Sequence, residues 1–131
     1  MSSLVLFNLK TADFLSDLDG ILSDMYDYTL FKQGVTLMSS FDARAPYRYF
    51  NEYVMIPYGE YIKSRDDKFF LETPIEEENV DNMGFMDMKF DFKIVDIIRS
   101  RWQTLTQADR SAVWEHLGLL LILCERCIKE E

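Results

Sequence analysis

Between Val113 and Cys124 nine of twelve residues are apolar: Val113, Trp114, Leu117, Leu119, Leu120, Leu121, Ile122, Leu123 and Cys124. No other stretch restricts the fold as strongly. Thr106 stands where an N-cap belongs and Asp109 at the third helical position, so the spacing predicts a helix over residues 107–129. The capping box is imperfect, because Asp is shorter than Glu or Gln, and Leu105 supplies one half of a hydrophobic staple against the aliphatic stem of Arg110 or nearby apolar groups. A helix apolar nearly all round must be central in a small protein or bury one side against another subunit. Its most apolar part, Leu117 to Cys124, is far shorter than the roughly 18–20 residues that span a bilayer. The run therefore reads as core, with no membrane association.

The rest of the chain is patterned to surround such a helix. Phe14, Leu15, Leu18, Ile21, Leu22 and Met25 recur at helical spacing, with Asp13, Ser16, Asp17, Asp19 and Asp24 across much of the other face. A helix over about residues 11–27, capped by Thr11, is expected. Leu30, Phe31, Val35, Leu37, Met38 and Phe41 suggest a second, weakened by Gly34 and the Ser39-Ser40 pair. Pro46 suits the first position of a third, in which Tyr47, Phe50, Tyr53 and Val54 share a face until Pro57 stops or kinks it. Residues 58–70 resume helically, and Ile94, Val95, Ile97, Ile98 and Trp102 mark a helix over about 91–103. The last two helices form a helical hairpin. The expected fold is mainly α: one compact domain over 1–131, with N-terminal helices in 11–71, an acidic loop or arm in 72–91 and the C-terminal hairpin in 92–131.

Charge is unevenly spread. The 131 residues carry a net charge of -9, opposite in sign to a phosphate-binding footprint, so direct nucleic-acid contact is disfavoured. Residues 72–91 hold seven acids (Glu72, Glu76, Glu77, Glu78, Asp81, Asp87, Asp91) against Lys89, which places -6 of the total there. With Pro74, Gly84 and three methionines this stretch reads as a long exposed loop. The alternation of Phe85, Met86, Met88, Phe90 and Phe92 around the acids also allows an extended strand or an arm that docks on a partner.

Chemistry-bearing motifs are sparse. His116, Cys124 and Cys127 are zinc-ligand types, but on one helix His116 lies about 12 Å along the axis from Cys124, too far to share an ion. The two cysteines, three apart on a helix, are poorly placed for a disulfide and fit a reducing, intracellular setting. Asp17, Asp19, Gly20, Asp24 and Asp27 have the composition of a calcium loop without its spacing and read as a solvated helical face. Glu76, Glu77 and Glu78 read as a solvated charge run. A nucleophile, histidine and acid arrangement would have to use the solitary His116, and no Gly-rich phosphate loop is present. Catalytic, cofactor and metal sites are accordingly expected to be none. Arg44, Arg48, Arg99, Arg101 and Arg110, near Tyr47, Tyr49, Trp102 and Trp114, could stack on and neutralise a nucleic acid; ion pairs to acidic residues and aromatics in the core are the preferred reading. The Ala43-Arg44-Ala45-Pro46-Tyr47 turn is a surface candidate. The N-terminal Met1 to Phe7 segment has no basic stretch before its apolar patch, Ser2 replaces the Gly of a myristoylation signal, and Lys129-Glu130-Glu131 is no prenylation signal.

The run Trp102-Gln103-Thr104-Leu105-Thr106, then Asp109-Arg110, Val113-Trp114-Glu115-His116-Leu117 and Leu119-Leu120-Leu121 resembles the C-terminal endings of small proteins of nucleocytoplasmic large DNA viruses, including the marseillevirus group. The resemblance covers the last quarter to third of the chain. It implies a viral origin and a location in the infected cell, in cytoplasm, nucleus or virion, and it supplies no catalytic residues. The functional expectation is a non-enzymatic interaction or assembly protein, associated with the virion or the transcription machinery, that self-associates and binds another viral or host protein. Its candidate contact residues are Trp102, Trp114, Leu117, Leu120, Leu121, Phe85, Met86, Met88, Arg44 and Tyr47. An acidic mimic of nucleic acid and a small metal-assisted enzyme are the alternatives.

Overall fold

The computed structural model describes residues 2–72 and 94–131. The acidic segment over 72–91, with Phe85, Met86 and Met88, therefore lies outside the described residues apart from Glu72. Every regular element described is helical: α1 (Ser3–Leu22), α2 (Tyr26–Phe41), α3 (Ala45–Phe50), a π turn (Asn51–Met55), α4 (Ile56–Ser64), α5 (Lys68–Glu72), α6 (Ile94–Arg101), a 3-10 turn (Trp102–Thr104) and α7 (Gln107–Lys129). The mainly α fold is as expected from the apolar periodicity.

Element boundaries follow local chemistry. Helix α1 begins eight residues before Thr11, because Ser2 caps it by accepting from the Val5 amide at 3.2 Å. Thr11 instead sits inside the helix, its hydroxyl donating to the Phe7 carbonyl at 2.8 Å. Helix α2 tolerates its hydroxyl residues because Thr36, Ser39 and Ser40 donate back to the Lys32, Val35 and Leu37 carbonyls. Pro46 occupies the first turn of α3 as expected. Pro57 does not stop the helix. The turn just upstream widens to π geometry, with the Ile56 amide donating to the Asn51 carbonyl, and α4 continues through the proline. Arg65 closes α4 in the left-handed conformation (φ 50°).

Helix α7 is central. It runs antiparallel to α1, as the pairs Ser3–Glu130 and Asp17–His116 show, and it also packs on α3, the π turn and α4. Leu117 and Cys124 are fully buried on its inner side. Helix α6 has α2 and α5 as its main neighbours. Beside it an aromatic cluster ties α5, the 3-10 turn and α7 together: the Phe70 ring stacks on Trp102 at 4.3 Å and lies 5.0 Å from Trp114. Arg110 clamps the same corner, donating twice to the Trp102 carbonyl at 3.1 and 2.9 Å. No helix among the described residues is long and apolar enough to cross a membrane.

Candidate functional site

Of the contact residues expected from sequence, five are consumed by the fold. Trp102, Trp114, Leu117, Leu120 and Leu121 are buried inside this chain, so a partner cannot reach them. Trp114 donates its indole N–H to Asp67 at 2.7 Å, a further tie across the aromatic corner. Tyr47 is buried as well, its hydroxyl donating to the Glu131 carboxylate. Arg44 alone of the set is both described and exposed. The reason is geometric: in a chain this size, every large apolar residue on the inner arc of the central helix is needed to fill the space between α1, α3 and α4.

The apolar surface that remains is elsewhere. Leu119 is 38% and Ile122 50% exposed, on the side of α7 that faces away from Leu117, Leu120, Leu121 and Cys124. Glu115 and Arg126, both exposed, stand one turn before Leu119 and one turn after Ile122, so the four residues form one stripe at helical spacing. Neither charge has an ion-pair partner among the described residues. On the neighbouring α1, Val5 and Leu9 are also about half exposed, one turn apart. The run from Val113 to Cys124 is so uniformly apolar that it conceals this outer stripe; its signal in the sequence is the recurrence of Glu115 and Arg126 in phase with Leu119 and Ile122.

The polar candidates form ties between helices. A cleft of about 460 Å³ between α1 and the start of α7 is lined by Asp17, Gly20, Asp109 and His116. The His116 ring stacks on Phe14 at 4.9 Å and its Nε2 meets the Asp17 carboxylate at 2.6 Å. Asp19 accepts from Tyr28 at 2.6 Å and from Lys32 at 2.7 Å, which lowers its pKa, Lys32 contributing most. Arg101 reaches Asp24 at 2.7 Å and holds that carboxyl below its ordinary value. The aspartates expected to be a solvated face are thus partly engaged in holding α1 to α2, α6 and α7.

Cys124 and Cys127 are buried free thiols. Burial pushes the Cys124 thiol up to about 12, helped by Cys127 and Glu125, and its Sγ–H donates to the Tyr47 carbonyl at 3.4 Å. Among the described residues no group of three or more His, Cys, Asp or Glu side chains is placed to hold a metal ion. A small apolar cavity of about 40 Å³ lies among Phe7, Phe14, Phe31, Tyr49 and Leu117. Burial raises the Tyr49 phenol, and a backbone hydrogen bond from Ile94 works against that rise. Comparison with family models, curated proteins and solved structures finds no match.

Proposed function

We propose that the chain is a non-enzymatic protein–protein interaction or assembly protein, of the kind its C-terminal resemblance to large-DNA-virus proteins implies, working inside the infected cell. The observation that carries this reading is the outer stripe of α7. Leu119 and Ile122 stay exposed on the most deeply packed helix of the molecule, between two charges that no group among the described residues neutralises. A helix face with apolar residues one turn apart and a charged rim is a form that partner surfaces recognise.

The test is retention of proteins on the immobilised full chain from extracts of the cells that make it, beside Ile122→Glu. Ile122 is exposed, so the substitution leaves the core intact, whereas Leu120→Glu would place a charge in the interior. Proteins held by the native chain and lost with Ile122→Glu are expected. An empty eluate, or an identical set with the variant, would count against the reading.

A further inference from the structure

The stripe on α7 has a two-fold pattern. Its residues Glu115, Leu119, Ile122 and Arg126 are separated by four, three and four positions, a spacing that reads the same in both directions. All four lie on the exposed side of one continuous helix. We infer that α7 is the interface of a symmetric dimer in which two copies of this chain cross their α7 helices antiparallel, about an axis between Leu119 and Ile122. This rests on the interaction reading above and commits it to one occupant, a second copy.

Charge complementarity selects that occupant and its orientation. In the antiparallel arrangement Leu119 of one copy meets Ile122 of the other, and Glu115 meets Arg126, twice over because the contact is isologous. A parallel pairing would set Glu115 against Glu115 and Arg126 against Arg126, an arrangement that like-charge repulsion opposes. Both charges lack ion partners among the described residues and both sit on exposed helix surface, so no ion pair among those residues has to be broken. The stripe is about 16 Å long at 1.5 Å per residue. One such helix face is smaller than the roughly 800 Å² per partner of a standard interface, so association is reversible and concentration dependent.

Sedimentation equilibrium of the purified full chain over a wide concentration range, at low and high salt, tests the pairing. The native chain is expected to pass from monomer to dimer, with salt weakening the dimer. Ile122→Glu, Glu115→Arg and Arg126→Glu should each weaken it about tenfold or more, with unchanged thermal melting as evidence of an intact fold. The decisive variant is the double exchange Glu115→Arg with Arg126→Glu, which restores opposite charges across the axis and should recover the native association. A dimer indifferent to Ile122→Glu, or a double exchange as weak as either single, overturns the two-fold geometry. A chain monomeric at every concentration overturns self-pairing. If that monomer still retains other proteins through Ile122 on the immobilised column, the interaction reading survives; if it retains none, both fall.

Discussion

Cys124 shows how far a residue's surroundings override its type. Cys124 is a zinc-ligand type more than two turns from the imidazole of His116 on the same helix, and it is fully buried and donates to the Tyr47 carbonyl. Taking its charged form out of water raises its pKa from 9.0 to about 12, and Cys127 is raised for the same first reason. Both thiols should therefore resist iodoacetamide at pH 8 in the native chain and react within minutes in denaturant, as read by mass spectrometry; rapid native labelling of Cys124 would contradict its burial. The sign of the linked stability follows. A raised folded pKa contributes stability that is whole below pH 9.0 and is lost as pH climbs toward 12, because the unfolded chain ionises first. Tyr47 teaches the converse lesson: its place in an Arg- and Pro-bearing turn suggested a surface ring, while its hydroxyl is spent on the chain's own last residue, Glu131.

Among the elements, α7 was legible from end to end. Its start follows from Thr106, whose hydroxyl accepts from the Asp109 amide at 3.1 Å, and its span over Gln107–Lys129 is the one expected. Its inner arc is masked by Leu, Ile and Val on all sides, and only Glu115 and Arg126 mark the outer one in the 3.6-residue period. The two arcs differ in energy. Leu117→Ala, at a fully buried position, should cost about 2–5 kcal/mol, whereas Leu119→Ala should stay within about 0.5 kcal/mol. Urea denaturation of the two variants separates them, and equal losses would contradict a division of α7 into a buried and an exposed arc. Helix α1 was only half legible. Its first two turns carry Leu4, Val5, Leu6 and Leu9 with few polar residues, so the amphipathic contrast that marks a helix begins only near Thr11, well after the cap at Ser2.

For the whole molecule, the acidic balance of the helical body is organised into ties between helices. Asp19 joins α1 to α2 through Tyr28 and Lys32, and Asp24 joins the end of α1 to α6 through Arg101. Both carboxyls are held below 3.8, so their contribution is present above that value and is lost as pH falls through their lower folded pKa values. Melting temperature should accordingly fall as pH drops below about 3.8, and Asp19→Asn should flatten that fall in circular dichroism melts. Both carboxylates are largely exposed, so the effect is modest. An Asp19→Asn chain with the native acid profile would place the sensitivity elsewhere. Caps, prolines and apolar spacing act within a few residues along the chain, so the helical class and the span of α7 are readable from the amino acids alone, whereas the helix expected over 11–27 is Ser3–Leu22. Which apolar side chains the core consumes and which stay outside is set by packing between helices. That choice depends on neighbours distant in sequence, α1 at one flank of α7 and α4 at the other, which bury Leu117, Leu120 and Leu121 and leave Leu119 and Ile122 to water.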